Sequence, residues 1–106
     1  MSEQLQILLK QLRSNLLELY GTRLDRLILF GSQARGTATE NSDIDVLIIL
    51  KGQVNPGEEI KRTGQLISDL SLQYDLTISR LFMDSEKFST ANTPLLLNIR
   101  KEGIKF

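Results

Sequence analysis

Residues Leu27–Leu50, LILFGSQARGTATENSDIDVLIIL, decide how this chain folds. They read as a strand (Leu27–Phe30), a sharp Gly31-Ser32 turn, a short helical turn through Arg35, a polar loop, and a second strand over Ile44–Leu50. Asp43 and Asp45 stand at the entrance of the second strand. Side chains alternate along a strand, so the two acids share one face and Ile44 points to the other. Paired carboxylates on a rigid element call for a positive charge between them. A hard divalent cation such as Mg2+, which takes oxygen ligands and keeps several waters, suits two carboxylates plus phosphate oxygens. Gly31-Ser32 is the matching phosphate feature. Glycine lets the backbone turn and a ligand approach it closely, and a serine opening a helical turn adds its hydroxyl to free N–H groups.

Outward from this stretch, the apolar pattern marks helices on both sides. Leu5, Leu8, Leu9, Leu12, Leu16 and Leu19 recur at spacings of three and four, with Ser2 as N-cap and Gly21 as stop. Ile7, Leu17 and Tyr20 widen that stripe, so part of the helix is available to a partner chain. Arg23–Phe30 supplies the first strand, with Leu24, Leu27, Ile28, Leu29 and Phe30 as core candidates. The unbroken run Val46–Leu50 is expected where both faces of a strand are covered. After a loop at Gln53–Gly57, a helix over Glu58–Tyr74 buries Ile60, Ile67 and Leu70. Gly64 on the same face costs up to about 1 kcal/mol against alanine, which predicts close packing on another backbone. Asp75–Met83 reads as a third strand opening with an acid. Asp84–Lys87 turns into a short helical piece, and Thr93-Pro94 starts a last helix burying Leu95, Leu96, Leu97 and Ile99 before Gly103. The expected fold is α/β (α+β), a small mixed sheet of three to four strands covered by helices, in one domain over residues 1–106.

Composition narrows the chemistry. With 13 Lys and Arg against 13 Asp and Glu, the formal charge is zero, and strong direct nucleic-acid binding is not expected. The absence of cysteine and histidine removes thiol catalysis, Cys-ligated zinc and Ser-His-Asp catalysis. Proton transfer falls to carboxylates, lysine, tyrosine or water. No signal-peptide pattern or membrane-length apolar run occurs, so a cytoplasmic location without membrane association is the default expectation.

Taken singly, the motifs have ordinary readings: Gly31-Ser32 a turn, Asp43 and Asp45 solvated edge acids, Asp75 a turn residue. Taken together, three acids open two strands and a phosphate-type turn closes another. If the strands lie side by side, these groups meet at one end of the sheet with the parts of phosphoryl-transfer chemistry.

Phe30-Gly31-Ser32, a ten-residue spacer and Asp43-Ile44-Asp45-Val46 resemble the signature of the DNA polymerase β nucleotidyltransferase superfamily. The fuller string GSQARG…SDIDVLI, with the ending LLLNIRKEGIKF, is similar to its minimal members, the MNT proteins. The resemblance implies a polymerase β palm-like fold and attack of an acceptor oxygen on the α-phosphate of ATP or another NTP. By the same resemblance, Gly31 and Ser32 hold the triphosphate and Asp43 and Asp45 coordinate one or two Mg2+. Asp75 would share a metal and help activate the attacking hydroxyl. Arg35 either touches a phosphate or pins the loop through a carboxylate, since its fork suits both anions. Minimal members pair with a helical HEPN-domain RNase toxin, and the implied acceptor is a hydroxyl of that partner. The alternatives are a non-catalytic antitoxin that masks its partner, or a small-molecule, antibiotic-type nucleotidyltransferase. No acceptor-recognition domain is expected within 106 residues, so the acceptor is expected to come from another molecule or a second subunit of a homo-oligomer.

Overall fold

A computed structural model describes residues 1–39 and 41–106. The elements run α1 (Glu3–Tyr20), a 3-10 turn (Gly21–Arg23), β1 (Leu24–Phe30), α2 (Ser32–Arg35), β2 (Ile44–Leu50), α3 (Pro56–Tyr74), β3 (Ile78–Asp84), α4 (Ser85–Thr90), α5 (Pro94–Glu102) and β4 (Ile104–Lys105). The sheet order is β3-β2-β1-β4. β1 is antiparallel to both β2 and β4, while β2 and β3 run parallel through the crossover helix α3. It is a mixed α/β architecture, as the sequence pattern implies.

β2 is central, which explains its unbroken apolar run: Val46–Leu50 are all fully buried. Ile44, Val46, Ile48 and Leu50 join Leu5, Leu8, Leu12 and Leu16 of α1 and Ile67 and Leu70 of α3 in one core. Leu47 and Ile49 point the other way, to Ile28, Phe88 of α4, and Leu96 and Ile99 of α5. Asp45 belongs by parity to this second face, and so does Phe30, packed at its margin. Caps fix the helix starts: Ser2 accepts from the Leu5 N–H, Asn55 from Glu58, and Thr93 from Leu96.

Several expectations are corrected. The second long helix begins at Pro56, because Asn55 caps it and Pro56 fits its first turn. Leu19 is exposed and Tyr20 buried, since the apolar arc of α1 rotates past Leu19 at its last turn. Ile60, Leu95 and Leu97 are likewise exposed. Gly64 has open space where its Cβ would be, so it is not a close-packing site. The third strand starts at Ile78 rather than Asp75, because Asp75 is consumed as the left-handed C-cap of α3, with φ 52° and ψ 47°. The residues after Gly103 form a short edge strand, β4, where no strand was expected.

One acid that sequence reasoning passed over is central to packing. Glu59 is 2% exposed and accepts from the Tyr20 hydroxyl at 2.7 Å and from Arg23 Nη1 at 3.1 Å, with Arg62 Nε at 3.4 Å. Burial works against its charge, but the hydrogen bonds from Tyr20 and Arg23 and the charges of Arg23 and Arg62 outweigh it and hold the carboxyl below its ordinary value. Burial, the bond to Glu59 and its charge push the Tyr20 hydroxyl well above the usual phenol range. A depressed carboxyl contributes stability above its unfolded pKa and loses it as pH falls through the folded value. Removing one partner of a fully buried pair costs about 3–5 kcal/mol. Because the Arg23 side chain is 31% exposed, we expect Glu59→Gln to cost only about 2 kcal/mol near pH 7. In urea unfolding, that deficit should shrink as pH falls below the ordinary glutamate range.

Candidate active site

The pairing of β1 with β2 builds the site. Phe30, the last residue of β1, lies opposite Asp45, and Gly31 follows it. Gly31 adopts φ 76° and ψ −155°, a backbone state that side-chain-bearing residues rarely enter. A Cβ there would collide with the Asp45 carboxylate. The turn and the acid are therefore in van der Waals contact through the missing side chain, which is how a backbone phosphate cradle can border a metal-type carboxylate. The chain then enters α2 at Ser32, and its first N–H groups have no partners within the helix. Arg35 N–H donates to the Gly31 carbonyl at 3.1 Å and Thr37 N–H to that of Ser32 at 3.0 Å, closing the turn on Gly36. Further along, the Thr39 N–H donates to Ser42 Oγ at 2.8 Å and the Ser42 N–H to the Thr39 carbonyl at 3.1 Å. These bonds deliver the chain to Asp43 in a fixed geometry.

Asp43 is exposed and Asp45 half-buried at the start of β2. Burial first, and the neighbouring Asp43 charge second, push the Asp45 carboxyl above its ordinary value, with Arg35 pulling the other way. Arg35 also pairs with Glu102 of α5, Nη1 to Oε2 at 3.6 Å, with both side chains largely in solvent. Arg35 thus meets a carboxylate of α5 while its charge also reaches Asp45. Gly31, Arg35 and Glu102 line a cavity of about 210 Å³ between this turn and α5.

Asp75 is not brought to this cluster. It is exposed at the end of α3 and lines a different cavity, of about 430 Å³, with Ser42, Ser71 and Thr77. Three residues, Asp75–Thr77, are spent leaving the helix before β3 begins. The strand neighbour of Asp45 on β3 is Ser79. Among the described residues, no three acids come together as a metal-holding group. The expected convergence of Asp43, Asp45 and Asp75 is therefore replaced by a pair of acids flanked by a serine. Sequence inspection could not place Ser79, because its position depends on where α3 stops.

The donor set still fits a divalent cation. Two hard oxygen donors lie two residues apart at the entrance of β2, and burial together with the Asp43 charge makes Asp45 resist its own charge. A carboxyl whose pKa is raised on folding binds protons more readily in the folded than in the unfolded chain. Stability is then greatest below the unfolded pKa and falls as pH rises through the folded one. Asp45→Asn removes that cost. Calorimetry without divalent cations should show Asp45→Asn melting a few degrees above the unmodified chain at pH 7, with the difference vanishing near pH 3.

Comparison with known proteins agrees with this geometry. Residues 9–105 match the family described as Nucleotidyltransferase domain. A Methanocaldococcus jannaschii protein provisionally named a protein adenylyltransferase is 39% identical over 98 residues, covering 92% of this chain and 94% of its own. The fold matches a provisionally named nucleotidyltransferase from Sulfolobus solfataricus at a TM-score of 0.63 and 21% identity, covering 97% of this chain and 81% of the other. It also matches, at a TM-score of 0.58 and 18% identity, a chain in a complex of the tri-AMPylated Shewanella oneidensis HEPN toxin with its MNT antitoxin, covering 94% and 69%. With a paired-acid strand and a glycine-serine turn packed together, and a family match across nearly its whole length, this chain belongs to the nucleotidyltransferase domain family.

Proposed function

We propose that this chain transfers AMP from ATP to a hydroxyl of a partner protein, and that the partner is a HEPN-family toxin which it neutralises as the antitoxin. The observation that carries the transfer reading is the contact between the Gly31 turn and the Asp45 carboxylate. It leaves the backbone of the turn bare beside the carboxylate, where a phosphate chain and a cation can meet. Adenylyl specificity and the protein acceptor rest on the name of the M. jannaschii relative, and the toxin partner on the S. oneidensis complex.

In this reading Gly31 and Ser32 hold the triphosphate through backbone N–H groups and the serine hydroxyl. Asp43 and Asp45 hold Mg2+, and Arg35 adds positive charge beside the phosphates. When bound, the cation supplies charge neutralisation at the reacting phosphate. The acceptor oxygen forms a new bond to the α-phosphorus, the bond to the β-phosphate bridge breaks, pyrophosphate leaves, and the hydroxyl proton passes to solvent or to a carboxylate. Asp75, away from the acid pair, takes no part in holding the metal. Ser79, exposed on the edge strand β3 beside Asp45, leaves that side of the site open to an incoming hydroxyl.

The test is transfer of α-labelled nucleotide to a co-purified HEPN-domain partner, with each of the four NTPs. We expect label from ATP on the partner, and Asp43→Ala or Asp45→Ala to lower the rate at least about 10²-fold, as for loss of a dedicated electrostatic stabiliser. A doubly substituted chain that still neutralises the toxin in cells would replace this reading with steric masking.

A further inference from the structure

We propose that the cavity between the Gly31 turn and α5 is the nucleobase pocket, and that Asn98 reads the base, selecting adenine. This inference rests on the nucleotide-transfer reading above and adds the substrate-selecting residue to it.

Position comes first. The α-phosphate must lie at Asp43 and Asp45, and the nucleoside hangs from it. Along the sheet, Asp45 has two neighbours, Ser79 on β3 and Phe30 on β1, each about 5 Å away by strand spacing. The β3 side is a sheet edge, and the cavity of about 430 Å³ there lies at the end of α3, on the helix layer that Ile44 rather than Asp45 faces. The β1 side is walled by α5, and the cavity of about 210 Å³ lies there, bounded by Phe30 and Gly31 on one side and Leu95 and Asn98 on the other. Gly31 borders both the Asp45 carboxylate and this cavity, so a nucleotide seated on the turn reaches it without crossing the sheet.

Size and lining point to a single ring system. The volume falls below the roughly 300 Å³ at which pockets for whole drug-sized ligands begin. Leu95, Asn98 and Glu102 follow one another at spacings of three and four, so they form one stripe of α5 facing the cavity. Leu95 is 47% exposed although its sequence pattern marks it for the core. With half-buried Phe30 across from it, the cavity has two apolar walls for the faces of a flat ring. Asn98 presents a donor and an acceptor side by side, the pattern that matches the amino group and ring nitrogen of adenine. Guanine carries a keto oxygen where adenine has its amino group, and so meets the Asn98 pair with two acceptors. Glu102, one turn further on, is already paired with Arg35 at 3.6 Å and takes no part in the choice.

The test uses the purified chain and isothermal titration with Mg2+ and, separately, ATP, GTP and inorganic tripolyphosphate. Asn98 is on the surface, and Asn98→Ala should fold as the unmodified chain does. Leu95→Trp provides a second variant that fills the cavity. We expect ATP to bind the unmodified chain more tightly than GTP. Asn98→Ala should weaken ATP about tenfold and erase the preference, leaving tripolyphosphate binding unchanged. Leu95→Trp should lose ATP and keep tripolyphosphate. If both variants bind ATP as the unmodified chain does, and all three bind tripolyphosphate, the base sits elsewhere and this inference fails while the phosphate site stands. If no form binds either ligand, the nucleotide-transfer reading fails and takes this inference with it.

Discussion

The antiparallel pairing that sets Phe30 against Asp45 is the constraint on which the rest depends. A slip of one residue would turn Asp45 into the α1-side core and Val46 out of it, because strand side chains alternate with a period of two. The run Val46–Leu50, apolar on both faces, anchors the strand, and driving the Asp45 carboxylate into the α1-side core is the cost that opposes such a slip. Five apolar side chains at about 1.5–3 kcal/mol each amount to on the order of 10 kcal/mol. Against this, two like charges spaced two residues apart along a strand repel by about 1–3 kcal/mol in a surface environment. Burial wins easily, so the fold can hold two acids in a position they would not choose.

The two ends of the sheet treat buried acid in opposite ways. At the end where β1 begins and β2 finishes, Glu59 is almost fully enclosed, yet Tyr20, Arg23 and Arg62 satisfy it and its proton affinity falls. Arg23 also donates to the carbonyls of Lys51 and Gln53, so this network ties the strand ends to the start of α3. At the opposite end, Asp45 is less buried but meets another acid, and its proton affinity rises. Depth of burial does not decide the direction of the shift here. Hydrogen bonds and close cations do: Glu59 has both, while Asp45 feels Arg35 only as a weaker opposing charge.

Local signals carried most of the fold. The caps at Ser2 and Thr93, the Gly31-Ser32 turn, and the doubly covered β2 are all readable because each depends on a few neighbouring residues. What escaped depends on rotation and contact over distance. Whether Leu19 or Tyr20 faces inward depends on where Glu59, 39 residues later, offers a hydrogen bond. Leu95 and Leu97 have the composition of core residues, yet only Leu96 and Ile99 point at the sheet. Asp75 was misplaced because an aspartate before an apolar run looks alike as a strand entrance and as a left-handed helix cap, and only the length of α3 distinguishes them. The edge strand β4 is two residues long, too short to leave a pattern.

That misplacement bears on how the site would work. With Asp75 at the end of α3, the described acids at the turn are two, and the strand beside them carries an exposed serine near its start on the sheet edge. An acceptor hydroxyl approaching from that side meets no fixed base among the described residues of β3. In the reading proposed above, the partner therefore has to bring its hydroxyl already oriented, with solvent receiving the proton. Asp45, as a ligand of the cation, would not be free for that task, because a cation holds a coordinating carboxylate ionised and reverses the upward push of burial and the Asp43 charge. The same strain that makes the acid pair a cost to the folded chain would then be what the site contributes to holding the cation.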